Sequence, residues 1–393
     1  MFSTRTSLDR SPNALASALE RARAGGGEIL DLTVSNPTTA GIPYPRQAIL
    51  DALSDPRLLT YEPLPFGLPS ARRAVADLYA RPHAVDPERV VLTASTSEAY
   101  SLLFKLLCDP GDAIAVPQPS YPLFDHLASF ESVTLVPYHL AYDGAWHIDA
   151  ESLARAVGAR TRAILVVSPN NPTGSYLKQS ELALLASFGL PIICDEVFAT
   201  YPLRVGGSGA INERVLGILE ETRVLVFLLS GLSKLAALPQ MKLGWMIVGG
   251  PDAAVNEALG RLELIMDSFL SVGAPVQNAL PALLASRAMA TAAIAVRTVR
   301  NLARLDALVG TDSTVTRLYL EGGWYATLRL PHLASVDWAI ALLEKEGVYV
   351  HPGAFFGFAD EEHVVLSLLT PEDTFEAGVR RLVARVARMV EAP

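Results

Sequence analysis

The chain has 393 residues, of which 50% are hydrophobic and 19% are charged, enough apolar sequence for a large core. Its net charge of −9 at pH 7 argues against nucleic acid or an anionic membrane surface as a partner. The two cysteines, Cys108 and Cys194, predict neither a disulfide framework nor a metal site. Because no stretch resembles a signal peptide or reaches membrane-spanning length, we expect a cytoplasmic protein.

The order of the predicted elements indicates an α/β fold. After an N-terminal helix, "EILDLTV" predicts a strand. From Val90 onward, amphipathic segments separate short apolar runs, which read "VVLT", "AIAV", "AILVVS", "LPIICD" and "VLVFLLS". Such runs are typical of a mainly parallel sheet covered by helices on both faces. The next run, "KLGWMIV", follows too closely for a helical crossover, so we expect it to be antiparallel.

The C-terminal part of the chain predicts a second, smaller unit. "TRLYLEGG" and "WYATLRLP" indicate a hairpin that turns at Gly322-Gly323, and a helix, two strands and a terminal amphipathic helix follow. We therefore predict a large domain over residues 41–284. Both chain ends, residues 1–40 and 285–393, are predicted to form a small α+β domain.

Polar residues follow several of the predicted strands, where open α/β sheets bind ligands. Ser95 and Glu98 fit the capping box S-x-x-E, and a helix start that also carries Thr96 suits a phosphate. Tyr121, in the proline-stiffened "PQPSYP", is either a packing residue or a platform for a flat ring. Asn171, in "PNNPTG", lies in a plain turn or binds a ligand hydroxyl.

Two ionisable residues fall where burial is expected. Asp195 directly follows an apolar strand and needs a cation or a strong donor as a partner. Lys234 lies in the apolar segment "FLLSGLSKLAALPQMKLGW", although only five of the 32 Lys and Arg residues are lysines. A lysine forms a Schiff base with an aldehyde, and a buried carboxylate keeps a pyridinium nitrogen protonated. Together with the hydroxyls, this set predicts pyridoxal phosphate as the cofactor.

Seven motifs occur in one order along the chain: "YEPLPFG", "TASTSEA", "PSYP", "SPNNPTG", "CDEVF", "SGLSK" and "HPGAFFG". In that order they resemble the fold-type I pyridoxal-phosphate enzymes of the class I/II aminotransferase group. The resemblance implies that Lys234 forms the internal aldimine and moves the substrate proton, and that Asp195 pairs with the pyridine nitrogen. The further cofactor contacts that it implies are Ser95, Thr96, Tyr121, Asn171, Ser230, Ser233, Lys242 and, from the neighbouring subunit, Tyr61.

Four positions depart from the family's pattern. Phe198 stands for a tyrosine that donates to the ring oxygen, and Ser95 replaces a common glycine. Lys242 stands for an arginine that grips the phosphate, so the charge stays but the bidentate fork is lost. Val365 stands where the family has the arginine that binds the substrate carboxylate. Either another group holds that carboxylate, with Arg329, Asn36 and Asn171 as the candidates, or the substrate has no carboxylate beside its amine. Asn36 and Trp324 predict a polar and aromatic pocket on the small-domain side, which favours an amino-acid substrate.

The resemblance implies a homodimer with shared active sites, acting on a small amino donor and a carbonyl acceptor. Aminotransfer is therefore the first hypothesis. A lyase, decarboxylase or cyclase on the same scaffold is the second, and Val365 favours it. A non-catalytic regulator that kept the fold is the third, and the presence of both Lys234 and Asp195 opposes it. In each enzymatic case Val365 predicts poor use of aspartate and glutamate.

Overall fold

The structure is a computed structural model that describes residues 2–7, 11–80, 84–203, 214–215, 217–310, 314–331, 333–358 and 362–391. Its strands are β1 (Leu30–Asp31), β2 (Val90–Thr93), β3 (Ala113–Gln118), β4 (Thr134–Tyr142), β5 (Trp146–Ile148), β6 (Thr161–Val167), β7 (Ile192–Asp195), β8 (Val226–Gly231), β9 (Gly244–Gly249), β10 (Thr316–Arg317), β11 (Tyr325–Arg329), β12 (Val348–Tyr349), β13 (His351–Pro352) and β14 (His363–Ser367). Its helices are α1 (Ala14–Ala24), α2 (Arg46–Ala52), α3 (Pro69–Leu78), α4 (Thr96–Leu107), α5 (Phe124–Phe130), α6 (Ala150–Ala156), α7 (Gln179–Ser187), α8 (Leu232–Leu235), α9 (Asp252–Phe269), α10 (Ala274–Ser286), α11 (Ala288–Val309), α12 (Ser335–Glu346) and α13 (Glu372–Glu391).

The largest sheet has eight strands in the order β2-β9-β8-β7-β6-β3-β4-β5. The neighbours from β8 through β7, β6 and β3 to β4 pair in parallel. Strand β9 is antiparallel to both β8 and β2, as the short connection before it predicts. Strand β5 forms an antiparallel hairpin with β4 that the sequence analysis did not predict. The mainly parallel α/β architecture is therefore confirmed.

The apolar strands of this sheet are buried on both faces. Along β8, Phe227 and Leu229 pack into one apolar cluster. Val226 and Leu228, which alternate with them, pack into a second cluster on the opposite face. Because both faces need apolar side chains, the strand reads as a continuous hydrophobic run rather than an alternating one.

The smaller sheets use residues from both chain ends. Strands β10-β11-β14-β13 form one sheet, and β1 pairs in parallel with β12. Thr316 pairs with Arg329, so the β10–β11 hairpin is centred on Gly322-Gly323 as predicted. Gly323 has φ +86°, a conformation that favours glycine. The proposed domain limits at residues 40 and 284 stay a prediction.

Helices α10 and α11 contain the longest apolar stretches. Among the described residues, no single helix is long and apolar enough to cross a membrane. As a pair bent by 55°, α10 and α11 pass that test by length and composition only. In the fold, α10 packs against α2 and α3, and α11 packs against α13.

Candidate active site

A cavity of about 250 Å³ lies at the carboxyl ends of β2, β6, β7 and β8. This is the edge of the sheet at which open α/β proteins bind ligands. Polar and aromatic residues from several elements line it: Ser95, Thr96, Ser97, Tyr121, Asn171, Asp195, Phe198, Ser233, Lys234, Lys242 and Tyr325. The structure thus brings together most of the residues that the sequence analysis selected.

Lys234 enters the cavity from the short helix α8, directly after β8. Its Nζ lies 5.2 Å from the ring centre of Trp324 and 5.7 Å from that of Phe198. The Tyr201 hydroxyl donates to the Lys234 carbonyl oxygen at 2.7 Å and so holds the backbone. Burial lowers the pKa of Lys234, while the charge of Asp195 raises it. The lower pKa increases the fraction of neutral amine, which is the nucleophilic form.

Asp195 is the last residue of β7 and is 6% exposed. The Tyr100 hydroxyl donates to its Oδ2 at 2.7 Å, and the Val197 N–H donates to its Oδ1 at 3.0 Å. Burial raises the pKa of Asp195, whereas these two hydrogen bonds and the charge of Lys234 lower it. The strong donor that the sequence predicts beside Asp195 is therefore the Tyr100 hydroxyl, together with the backbone N–H of Val197. Since a carboxylate has about four lone-pair positions, one further donor can still bind.

The first turn of α4 lines another part of the cavity. Ser95 is its N-cap, and the Ser95 Oγ accepts from the Glu98 N–H at 3.2 Å, as predicted. The Glu98 carboxylate accepts from the Ala94 N–H at 2.6 Å instead of the Ser95 N–H, so only half of the predicted capping box forms. Hydroxyls at the start of a twelve-residue helix, together with its dipole, favour an anion here.

Two glycines close the cavity beside this helix start. A Cβ on Gly231 would lie 2.9 Å from the Cα of Gly244. A Cβ on Gly244 would lie 3.1 Å from the backbone carbonyl carbon of Ser95. The first distance is too short for a side chain, and the second is tight enough that the neighbouring backbone would have to shift by a few tenths of an ångström. Strands β8 and β9 and the start of α4 therefore approach each other closely through their backbones. Ser233 and Lys242 border the same space.

These features form one cavity with a half-buried amine, a buried carboxylate and a helix start that favours an anion. The sequence model described as aminotransferase class I and II matches residues 27–382. The chain belongs to this aminotransferase family.

Individual aminotransferases and one lyase are similar to the chain. It is 30% identical over 247 residues to nicotianamine aminotransferase 1 of Oryza sativa subsp. japonica, covering 60% of this chain and 48% of that protein. It is also 30% identical over 245 residues to the S-alkyl-thiohydroximate lyase SUR1 of Arabidopsis thaliana, covering 60% and 52%. The chain therefore spans about half the length of these curated relatives.

Among solved structures, the alanine aminotransferase of Pyrococcus furiosus superposes with a TM-score of 0.85. The alignment covers 99% of this chain and 100% of that chain at 24% identity. At that identity the likeness concerns the fold alone. It confirms the fold-type I architecture that the motifs predict.

Pyridoxal phosphate is the cofactor of this aminotransferase family, and the cavity fits it. The Asn171 side chain lines the cavity, and its buried Oδ1 has no hydrogen-bond partner among the described residues, so this acceptor is open to a donor of a bound group. Its Nδ2 is the atom that can donate to a ring oxygen. Lys234 and Asp195 have the chemistry that the aldehyde and the ring nitrogen require. The hydroxyls of α4, with Ser233 and Lys242, have the chemistry that a phosphate requires.

Two of the predicted cofactor contacts lie outside this cavity. Tyr61 is 79% exposed and lines a separate cavity of about 380 Å³ together with Met266 and Leu270 at the end of α9. Ser230 is buried but does not line the active-site cavity. Gly231 does, and because successive strand residues point to opposite faces, the Ser230 side chain points away from it.

The three predicted substrate contacts also lie outside the lining of the cavity. The Asn36 Oδ1 accepts from the backbone N–H and the hydroxyl of Thr38, so that side chain closes a local turn. Arg329 is exposed at the end of β11. Trp324 is buried behind Lys234 and packs edge-on against Phe198. None of these placements adds support for a substrate contact.

Val365 belongs to a buried apolar cluster and does not itself line the cavity. It is 1% exposed and packs with Trp146, Leu318, Phe356 and Phe358. Tyr325, which lines the cavity, packs against this cluster. The strand position that carries an arginine in the family pattern is thus surrounded here by aromatic and aliphatic side chains.

Sequence reasoning did not select Ser97, which lines the cavity beside Thr96, or two tyrosines of the site. Tyr325 lines the cavity from β11, and Tyr100 reaches Asp195 from the second turn of α4. Tyr100 lies four residues after Thr96 and hence on the same helical face. That spacing, together with a hydroxyl among the apolar residues of α4, is the sequence signal from which Tyr100 could have been predicted.

Proposed function

We propose that this protein transfers an amino group from a small amino donor to a 2-oxo acid or another carbonyl acceptor. The observation that carries the proposal is that the half-buried Lys234 and the buried Asp195 line one cavity, with the pKa of the amine lowered. When bound, pyridoxal phosphate supplies an aldehyde for the amine and a ring that accepts electrons from the substrate carbon.

Lys234 and Asp195 have different tasks in this proposal. Lys234 would hold the cofactor through its Nζ, and its neutral amine would move the proton to and from the substrate carbon. Asp195 keeps the ring nitrogen protonated through its negative charge. Tyr100 and the Val197 N–H hold that carboxylate in place.

The remaining residues orient the cofactor. Ser95, Thr96 and Ser233, with the charge of Lys242, bind the phosphate, and Tyr121 covers the ring. Asn171 binds the ring oxygen through its side-chain amide. With Phe198 in place of a tyrosine, the second donor to that oxygen is missing.

We further propose that the preferred donors are uncharged apart from their α-amino and α-carboxyl groups. The support is the buried apolar cluster around Val365 and the set of cations at the cavity. Among the described residues that line it, only Lys234 and Lys242 are cationic, and both are assigned to the cofactor. A second carboxylate that is buried without a matching charge costs on the order of 2–5 kcal/mol.

A single-turnover screen tests both parts of this proposal. The purified protein, loaded with pyridoxal phosphate, is mixed with single amino acids, and the conversion of the cofactor to its amine form is followed by absorbance. We expect conversion by neutral donors, at least about tenfold faster than by aspartate or glutamate, the ratio for 1.4 kcal/mol. Fast conversion by aspartate contradicts the donor class, and no conversion by any donor contradicts aminotransfer.

A lyase is the second candidate because one relative at 30% identity is named an S-alkyl-thiohydroximate lyase. The two reactions differ in their products. A lyase acting on a sulfur-containing amino acid takes up one water and releases a thiol, ammonia and a 2-oxo acid, so it needs no carbonyl acceptor and leaves the cofactor as the aldehyde. Product analysis with a sulfur-containing donor therefore separates the two, and we expect the amine form of the cofactor.

We also propose a cytoplasmic homodimer in which Tyr61 reaches the phosphate of the partner's site. The support is the exposure of three large apolar side chains, since Leu59, Tyr61 and Leu264 are 84%, 79% and 74% exposed. Exposed apolar groups of this kind mark interfaces, and two-fold dimers are the commonest oligomers. Light scattering should give twice the chain mass of 42.1 kDa. A single chain mass at working concentration contradicts the shared site.

A further inference from the structure

Tyr100 has a feature that packing alone does not explain. It is 1% exposed, and its hydroxyl donates to the Asp195 Oδ2 at 2.7 Å. Burying a hydroxyl costs free energy that phenylalanine would avoid at the same volume. The hydrogen bond to Asp195 is therefore the interaction that distinguishes tyrosine from phenylalanine at this position.

The surrounding rings hold the Tyr100 hydroxyl in place. The Tyr100 ring packs edge-on against Phe124 at 5.2 Å between centres, with the planes at 77°. Phe124 packs in the same way against Tyr121, at 5.7 Å and 80°. Because α4 fixes the backbone and Phe124 fixes the ring, the hydroxyl has little freedom to leave Asp195.

The hydroxyl also affects the charge of Asp195. Burial and the Asp195 charge raise the pKa of Tyr100, so it remains a protonated donor. Its hydrogen bond lowers the pKa of Asp195 and so opposes the effect of burial on that carboxylate. The neutral Tyr100 hydroxyl thus favours the anionic form of Asp195 and leaves its negative charge in place. A bonded arginine would also favour the anion, but its positive charge would cancel that of the carboxylate.

Helix α4 thereby connects two parts of the cavity. Thr96 lies at the proposed phosphate site, and Tyr100 follows one turn later, about 6 Å along the helix axis. The same rigid element binds the phosphate through its first turn and holds Asp195 through its second.

We propose that Tyr100 is a positioning residue, which orients the Asp195 carboxylate and keeps it anionic toward the ring nitrogen of the cofactor. This inference rests on the proposed function of Asp195. It assigns to α4 a role beyond phosphate binding.

The test is Tyr100→Phe in the cofactor-loaded protein, with Tyr138→Phe as the matched control. Tyr138 is also buried, and its hydroxyl donates to the Leu165 carbonyl at 2.8 Å, outside the cavity lining. Both variants lose one buried hydroxyl and one hydrogen bond. Only Tyr100→Phe removes a donor to Asp195.

Two readouts separate positioning from simple structural support. With ¹⁵N-labelled pyridoxal phosphate, the ring-nitrogen chemical shift is followed against pH. We expect Tyr100→Phe to lower the deprotonation midpoint by about one pH unit and to weaken cofactor binding about tenfold, the scale of a hydrogen bond to a charged group. Tyr138→Phe should keep the wild-type midpoint.

A midpoint in Tyr100→Phe that equals that of the wild type or of Tyr138→Phe overturns the inference. If Tyr100→Phe does not fold, 3-fluorotyrosine at position 100 tests the same contact, and the expected shift of the ring-nitrogen midpoint is in the opposite direction. Its more acidic hydroxyl donates a stronger bond, so the midpoint must rise, and an unchanged midpoint overturns the inference. A wild-type protein that binds no pyridoxal phosphate contradicts the proposed function itself.

Discussion

The carboxyl edge of the eight-stranded sheet and the face of β11 and β14 are built in opposite ways. At the sheet edge, each strand is followed by a group that binds or carries charge, as with Asp195 after β7 and Lys234 after β8. On the smaller sheet, Val365 is surrounded by Trp146 and two phenylalanines. In the proposed function, the chemistry of the cofactor depends on the first sheet and the choice of donor depends on the second.

Loss of the amine at the sheet edge should have the largest effect. Lys234→Ala removes the group that binds the cofactor covalently and carries the substrate proton, so turnover should fall below detection. Lys345→Ala, at an exposed position of α12, is the control and should keep wild-type turnover. Steady-state kinetics at saturating cofactor measures both. Residual turnover of Lys234→Ala near the wild-type value would remove this lysine from the mechanism.

Loss of the Asp195 charge at the end of β7 should have the second-largest effect on turnover. Asp195→Asn keeps the shape but loses the charge that holds the ring proton, and kcat should fall at least about a hundredfold. Asp112→Asn is the matched control, because Asp112 is equally buried but bonds Arg162 at 2.8 Å, away from the cavity. It should cost stability and leave kcat unchanged. Equal kcat losses in the two variants would refute the role of Asp195.

Glu196, on the opposite side of β7's end from Asp195, should make stability depend on pH. Burial raises the pKa of Glu196 from 4.5 to about 7. Between these values the folded state keeps a proton that the unfolded state has lost, so the free energy of unfolding falls as pH rises. The slope from this group is at most about 1.4 kcal/mol per pH unit. Denaturant titrations of wild type and Glu196→Gln should differ in this slope, and identical slopes would contradict the prediction.

The smallest effect tests the apolar face. Thr327 pairs with Val365 across β11 and β14, and its buried Oγ1 has no hydrogen-bond partner among the described residues. Thr327→Val removes an unsatisfied hydroxyl and should raise the free energy of unfolding by about 1 kcal/mol. Thr161→Val, in β6, is the opposite case because its Oγ1 bonds both Gly158 and Ala156, and it should destabilise. A lower free energy of unfolding in Thr327→Val would mean that the Thr327 hydroxyl makes a stabilising hydrogen bond, and it would contradict the prediction.

Sequence reasoning succeeds where a residue conflicts with its immediate neighbours. Lys234 and Asp195 are ionisable groups inside apolar runs, and local sequence suffices to show that conflict. The antiparallel β9 is predictable for a similar reason, because the connection before it is too short for a helix.

Sequence reasoning misses contacts between segments that lie far apart along the chain. Tyr100 and Asp195 are 95 positions apart, so no spacing rule connects them. The resemblance assigned Ser230 to the cofactor because it lies one place before the usual hydroxyl position, but Ser230 does not line the cavity, and the alternation of β8 turns its side chain to the other face. The predicted capping box forms only in part, because the Glu98 carboxylate accepts from the Ala94 N–H rather than from the Ser95 N–H one residue later.

Borohydride reduction followed by peptide mapping tests the central claim most directly. The chain carries two lysines at the cavity, Lys234 and Lys242, eight positions apart in one apolar segment. Reduction of the cofactor-loaded protein fixes the cofactor to the lysine that holds it, and mass spectrometry of the peptides locates it. We predict a single pyridoxyl group on Lys234 and none on Lys242. Modification of Lys242, or no modification of a protein that binds the cofactor, would contradict the account.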